Sequence, residues 1–228
     1  GRGVSQAISW FFENVEQGII LEDDCLPHPD FFRYCETLLN KYKDDENVYA
    51  ISGDNFQSGI QRGNASYFFS KYVFVWGWAS WRRAWRNYDF NLTNLDEFKK
   101  KDLIRIIDDR KEFKDYWYAI FDKVERKQID TWDYQWVFAI WNNGGIATVP
   151  NMNLISNIGF GNDATHTTGS SPLSNIPTKD IGIIKHPKKM GVDQIADRYT
   201  SKFIYGISEI KKKYFKTTKY LINKYIKW

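Results

Sequence analysis

The chain has 228 residues and a mass of 27.0 kDa, enough for one domain with or without a tail. Hydrophobic residues make up 43% and charged residues 26%, which excludes a disordered polymer, and no apolar run approaches the about 18 residues of a membrane-spanning helix. Nine of the 32 basic residues but only one of the 28 acidic residues follow residue 197, so the body carries a net charge of −4 and the tail +8. A body without a basic excess argues against a nucleic-acid partner.

The cysteine content and the first residues bear on the compartment. Cys25 and Cys35 are the only cysteines, which argues against a disulfide-stapled secreted scaffold, and their spacing is not that of a metal site. The chain begins with Gly1 and an amphipathic helical pattern over 4–12, without a signal-peptide pattern. These features predict a cytoplasmic setting and a chain that starts partway into a fold.

The first half of the chain predicts strands that alternate with helices. We expect strands over 19–21, Val48–Ser52 and 67–69, and a helix over 31–42 with Asp30 as its N-cap. The first strand ends at Glu22-Asp23-Asp24 and the second at Gly53-Asp54-Asn55. In open α/β sheets ligands bind beyond the carboxyl ends of the strands, so both segments are candidate sites.

The second half begins with an aromatic segment over 76–85, which holds four tryptophans. Trp76, Trp78, Trp81 and Trp85 could stack on a sugar or fill the core, and the core is the better interpretation for most of them. Helices are predicted within 95–128 and over 133–141, a strand over 146–149, and a loop rich in Gly, Ser, Thr and Asn over 156–180. The alternation of strands and helices predicts the α/β class.

Three groups of residues could carry chemistry. The acids Glu22, Asp23 and Asp24 repel one another unless water or a cation neutralises them. A Mg²⁺ or Mn²⁺ ion bound to a diphosphate needs only one or two carboxylates, so these acids could hold such an ion. The alternative to a metal site is a solvated acidic turn. Asp133 stands among large aromatic residues, which suits a general base with a raised pKa, or else it caps a helix. His166 could close over a phosphate on its glycine-containing loop, or remain a solvated residue.

In this order the segments resemble the inverting nucleotide-sugar glycosyltransferases with a GT-A fold. The resemblance is greatest to the N-acetylglucosaminyltransferase I type and to related bacterial envelope-polysaccharide transferases. It covers about residues 18–166. Its segments are 18–24 with 29–32, 51–55, Gly77-Trp78 with Trp81, Trp132-Asp133 with Trp136, and Gly159-Phe160-Gly161 with His166.

The resemblance implies a metal-dependent transfer of sugar from a nucleoside-diphosphate donor to a glycan or lipid-linked acceptor. Asp24 would hold Mn²⁺ or Mg²⁺, Asp133 would be the catalytic base, and the loop that carries His166 would close over the diphosphate. The remaining substrate-binding residues would be Glu22, Asp23, Asp54, Asn55, Trp78, Trp132 and His166.

In the family, several βα units precede the acidic triplet, so we expect about 60–100 residues ahead of Gly1 to be absent from this chain. The predicted domains are a C-terminal portion of a GT-A domain over 1–190 and a basic amphipathic helical tail over 191–228. One helix would align Phe203, Ile207, Ile210 and later apolar residues on one face, which would contact a membrane through 198–228 or pack on the body. A carbohydrate-binding or interaction domain without catalysis is the alternative function.

Overall fold

The computed structural model describes residues 1–160 and 172–207, which form seven α-helices and seven β-strands. The helices are α1 (Arg2–Asn14), α2 (Asp30–Lys41), α3 (Arg82–Trp85), α4 (Leu95–Lys100), α5 (Lys111–Glu125), α6 (Asp133–Asn142) and α7 (Gln194–Phe203), with a 3₁₀ turn at Leu103–Ile106. The strands are β1 (Gln17–Leu21), β2 (Cys25–Pro27), β3 (Val48–Ser52), β4 (Tyr67–Ser70), β5 (Gly77–Trp81), β6 (Ile146–Pro150) and β7 (Ile155–Asn157). The predicted α/β class is confirmed in this coarse sense.

Five strands form one mixed sheet in the order β1-β5-β3-β6-β4. Strand β5 runs antiparallel to both β1 and β3, and β6 runs parallel to β3 and antiparallel to β4. Strands β1, β3 and β6 therefore point in the same direction, and their carboxyl ends lie at one edge of the sheet. A separate antiparallel ribbon of β2 and β7 follows the ends of β1 and β6 in the chain.

Helices cover both faces of the sheet, because successive residues of a strand point to opposite sides. On β5, the indole of Trp81 donates a hydrogen bond to the carbonyl of Leu39 in α2. The neighbouring Trp78 packs on the other side, against Trp132 and Trp136 at the start of α6. Helix α6 is buried from Tyr134 to Trp141 and packs against α5. The sheet thus lies between α2 on one face and α5 and α6 on the other.

The structure corrects three local predictions. Asp30 is the first helical residue rather than the N-cap, which is Pro29, and its carboxylate accepts hydrogen bonds from Arg33 and from the backbone N–H of Ile181. Strand β5 lies where only an aromatic segment was predicted. The tail does not continue as one helix from Phe203, because α7 ends there and Ile207 is buried while Phe203 is exposed.

The segment that follows residue 190 packs on the body as far as residue 207. Val192 bridges in parallel to Phe69 on the edge strand β4, and the backbone N–H of Asp193 donates to the carbonyl of Phe69 (2.8 Å). Helix α7 then packs against β4. Residues 208–228 of the predicted tail lie outside the described residues. No helix within 1–160 or 172–207 is long and apolar enough to cross a membrane.

Candidate functional site

The candidate site lies where β1 and β3 end. Because Leu21 pairs with Gly77 and Ser52 pairs with Trp78, both strands finish beside the start of β5. Glu22, Asp23 and Asp24 follow β1, and Asp54 and Asn55 follow β3. The two acidic segments singled out in the sequence therefore share one edge of the sheet.

Two glycines allow the β2–β7 ribbon to pack over this edge. A Cβ atom on Gly53 would lie 2.7 Å from Ile155 Cγ1, and one on Gly77 would lie 2.8 Å from the same atom. The backbone N–H of Gly53 also donates to the carbonyl of Gly77 (2.7 Å). Any larger residue at 53 or 77 would push Ile155 and the ribbon away from the strand ends.

Glu22 is the centre of a carboxylate cluster whose other members are Asp23, Asp24, Asp54 and Asp133. Its side chain is half-buried and lies close to the side chain of Trp132. Burial and the negative charges of Asp24, Asp133 and Asp23 raise the pKa of Glu22 to about 7, although the polar N–H of the nearby Trp132 indole opposes the shift. The Glu22 carboxyl group therefore changes protonation state near neutral pH.

Asp54 follows β3 and is only 1% exposed. The backbone N–H of Trp76 donates to its Oδ2 (3.3 Å), whereas its buried Oδ1 has no hydrogen-bond partner among the described residues. Burial, and to a lesser degree the charge of Glu22, raises the pKa of Asp54 well above its ordinary value. A neutral Asp54 can give its proton to a hydrogen bond within the cluster.

Asp24 is held by the ribbon. The Cys25 thiol donates to Asp24 Oδ1 (3.4 Å), and the carbonyl of Asp24 accepts from the backbone N–H of Ile158 (2.9 Å). Burial and the charge of Asp24 raise the pKa of Cys25, so the thiol stays protonated. The Asp24 carboxylate lies against Gly159, where a Cβ atom would be 2.8 Å from Asp24 Cγ. Asp24 remains half-buried, and its neighbour Asp23 is exposed.

Asp133 lies in the first turn of α6, whereas the other acids of the cluster follow strands β1 and β3. Burial raises its pKa, while the Thr131 hydroxyl and the backbone N–H groups at the helix start lower it. The N-cap position belongs to Trp132, so the alternative in which Asp133 caps the helix as its N-cap residue does not hold. The charge of Asp133 acts on Glu22, which places both carboxyl groups in one electrostatic environment.

The tryptophans of the site are packing residues. Trp78 is fully buried and stacks on Trp132 (ring centroids 5.8 Å apart, 24° between planes). The structure therefore does not support the predicted direct contact between Trp78 and a substrate. Trp132 is also buried, and its side chain lowers the pKa of Glu22. The interpretation of Trp76, Trp78, Trp81 and Trp85 as core residues is confirmed, because all four are buried.

Asn55 is a structural clamp rather than an exposed ligand group. Its backbone N–H donates to Asn153 Oδ1 (2.9 Å), its side-chain amide donates to the carbonyl of Pro150 (2.6 Å), and its Oδ1 accepts from the N–H of Gln57 (2.8 Å). These bonds join the end of β3 to the end of β6. The predicted substrate contact of Asn55 is not supported, because its polar atoms are already used within the protein.

Sequence reasoning missed three asparagines that follow β6. Asn151, Asn153 and Asn157 are buried and hold the loops at the strand ends. Asn153 donates to the carbonyls of Ile155 and Ile176, and Asn157 Oδ1 accepts from the backbone N–H of Gly159 (2.8 Å). The sequence signal that could have identified them is the repetition of asparagine directly after a predicted strand, because asparagine side chains often hydrogen-bond the backbone of turns and loops.

No group of three or more His, Cys, Asp or Glu side chains within 1–160 and 172–207 is arranged to hold a metal ion. Asp24 could still supply one carboxylate to Mg²⁺ or Mn²⁺, since these ions keep several waters and bind substrate phosphates. A half-buried, positioned carboxylate fits that partial role. His166, the predicted substrate-binding histidine, lies outside the described residues.

Neither a scan against protein-family models nor a comparison with curated protein sequences gave a match to this chain. The function has to be argued from the site itself. The site combines the exposed carboxylate of Asp23 and the half-buried carboxylate of Asp24 with three carboxyl groups whose pKa values are raised, those of Glu22, Asp54 and Asp133. Such a set can hold a cation-bound anion and accept a proton close by.

Proposed function

We propose that the chain is the catalytic part of a metal-dependent, inverting GT-A-type glycosyltransferase, which transfers a sugar from a nucleoside diphosphate to a hydroxyl group of a glycan or lipid-linked acceptor. The observation that carries the proposal is the meeting of Glu22, Asp24 and Asp54 at the ends of two co-directional strands, with Asp133 acting on Glu22 from α6. The order of these segments in the sequence supports the same family.

In this proposal Asp24 holds Mn²⁺ or Mg²⁺ together with the diphosphate and water. The bound cation supplies positive charge that neutralises the leaving diphosphate. Asp23 is exposed beside Asp24 and is available to the ribose of the donor. The contacts with Cys25 and Gly159 keep the Asp24 carboxylate in place before the donor arrives, and the N–H of Ile158 fixes the main-chain carbonyl of Asp24.

Asp133 is the proposed general base. The acceptor oxygen forms a bond to the anomeric carbon, the bond from that carbon to the diphosphate oxygen breaks, and the hydroxyl proton passes to the Asp133 carboxylate. Attack from the face opposite the diphosphate inverts the anomeric configuration. A raised pKa suits this role, because a stronger base takes the proton more readily near neutral pH.

The alternative of a carbohydrate-binding domain without catalysis has less support. It depended on the aromatic density, yet the tryptophans around the candidate site are buried and offer no stacking platform there: Trp76, Trp78, Trp81, Trp85 and Trp132. A binding domain would also have no need for carboxyl groups with raised pKa values.

The experiment is calorimetric titration of the natural full-length protein with the nucleoside diphosphates UDP, GDP, ADP, CDP and dTDP, each with and without Mn²⁺. We expect Mn²⁺-dependent binding of one nucleotide, lost in Asp24→Ala and kept in Asp44→Ala, which removes an exposed acid on the loop before β3. Equal affinity of Asp24→Ala and the natural protein would exclude Asp24 as the metal ligand. Absence of metal-dependent binding to any nucleoside diphosphate would refute the proposed function.

A further inference from the structure

The outer face of α7 carries an apolar stripe. Ala196, Thr200 and Ser201 are buried against the body, so the opposite side of the helix points away from it. That side presents Ile195, Tyr199 and Phe203 at intervals of four residues, and the first and last of them are 72% and 58% exposed. We call Ile195, Tyr199 and Phe203, with the basic Arg198 and Lys202 beside them, the α7 face.

The α7 face is held in place by contacts among its own side chains and with Ser58 and Arg62. The rings of Tyr199 and Phe203 lie 4.4 Å apart, and the guanidinium of Arg62 lies over Tyr199 (5.5 Å). The ammonium of Lys202 lies over Phe203 (4.9 Å), and the Tyr199 hydroxyl donates to Ser58 Oγ (2.9 Å). The exposed aromatic surface is therefore a fixed feature, with cations placed around it.

The acids of α7 do not reach this face. Asp193 caps the helix by accepting from the backbone N–H groups of Ile195 and Ala196. Asp197 turns toward β4, where it accepts from Ser70 Oγ (2.5 Å) and from the backbone N–H of Lys71 (3.0 Å). The outward side of α7 is left basic and apolar.

The sequence on both sides of α7 has the same character. Before it, Ile183 and Met190 are 84% and 44% exposed, and Lys185, Lys188 and Lys189 are exposed as well. After it, residues 208–228 contain seven lysines and one acid, Glu209. Apolar groups among lysines, over a stretch of chain with few acids, match the chemistry of an anionic membrane surface.

We propose that the α7 face is a docking surface for an anionic lipid bilayer. Ile195 and Phe203 would enter the headgroup region, while Arg198, Lys202 and the neighbouring lysines would contact lipid phosphates. A second copy of the chain is a poorer occupant, because two faces that are both basic would repel each other. This inference does not depend on the proposed transferase activity.

The test is co-sedimentation of the full chain with phosphatidylcholine vesicles, pure or with about one third phosphatidylglycerol. We expect binding to the anionic vesicles only, weakened at about 0.5 M salt where charges are screened. The variants Ile195→Ser/Phe203→Ser and Arg198→Gln/Lys202→Gln probe the face. Their matched controls are Ile106→Ser, at another exposed isoleucine, and Lys100→Gln/Lys123→Gln, at exposed lysines away from α7.

The expected result is a loss of about fivefold in partitioning for each basic charge removed from the α7 face, since one such charge contributes about 1 kcal/mol. The serine variant should also bind less, and both controls should bind as the natural chain does. Unchanged binding of both α7 variants would overturn the proposal and place any membrane contact outside the α7 face. Binding to neutral vesicles as strong as binding to anionic vesicles would also overturn the proposal. So would a dimer of the chain that dissociates only in the Ile195→Ser/Phe203→Ser variant.

Discussion

Replacing Gly159 by alanine tests whether the site needs Asp24 where the β2–β7 ribbon holds it. A methyl group on residue 159 would lie 2.8 Å from both Cβ and Cγ of Asp24, and closer still to Oδ2. Carbon atoms pack best at about 3.5–4.0 Å, so the Asp24 side chain has to retreat by about 0.7–1.2 Å. A misplacement of about 1 Å in a positioned group can cost about 10²-fold in rate.

We therefore expect Gly159→Ala to lower sugar transfer by about 10²-fold and to weaken Mn²⁺-dependent binding of the nucleotide. The cost to the free energy of unfolding should not exceed about 3 kcal/mol, the usual range for overpacking, so the protein stays folded. Gly3→Ala is the matched control, because a Cβ atom on Gly3 meets no heavy atom within 4 Å. Calorimetry and a transfer assay measure the two effects, and thermal denaturation checks the fold. If a folded Gly159→Ala protein binds the nucleotide and transfers sugar as the natural protein does, the loop around residue 159 moves instead of Asp24, and the reasoning is refuted.

Three further predictions concern the same edge of the sheet. Asp133→Asn should keep nucleotide binding but lower transfer by about 10²-fold or more, the range for a lost general base; near-natural turnover would remove Asp133 from the mechanism. The pKa of Glu22 is about 7 in the folded state, whereas its ordinary value, which applies to the unfolded state, is 4.5. Between these two pH values the folded state binds more protons than the unfolded state, so the free energy of unfolding falls as the pH rises from 4.5 to 7. Denaturant unfolding at pH 5 and pH 8 should show this loss, at most about 3 kcal/mol, reduced in Glu22→Gln; an identical pH dependence in the variant would contradict the shift. Asn55→Ala leaves the backbone N–H of Gln57 and the carbonyl of Pro150 without their hydrogen-bond partner, and it should lower the free energy of unfolding by about 2–4 kcal/mol in the same assay. The control Asn91→Ala, at an exposed asparagine, should leave the stability unchanged.

The strand ends could be predicted from the sequence because their signal is local. A short apolar run that stops at Glu22, and another that stops at Gly53 and Asp54, identify both strands and the polar groups after them. The buried tryptophans were also predictable, since large aromatic residues favour the core. These predictions depend only on residues that are neighbours along the chain.

The contacts that define the site could not be predicted in this way. The approach of Trp132 to Glu22 and the clamp between Asn55 and Asn153 involve elements that are far apart in sequence and meet only through the sheet order. Strand β5 was missed because Gly77-Trp78-Ala79-Ser80-Trp81 has neither β-branched residues nor a clear alternation of polar and apolar residues. Its tryptophans find space on both faces only once α2 and α6 are in place.

The cover of β4 by the segment around Val192 has a consequence for aggregation. An uncovered edge strand offers unpaired N–H and C=O groups to strands of other molecules. Here the carbonyl of Phe69 is taken by the backbone N–H of Asp193. A protein cut near residue 190 would expose the aromatic edge Tyr67–Ser70 and would be prone to intermolecular β-sheet formation, so residues 191–207 protect the solubility of the folded domain.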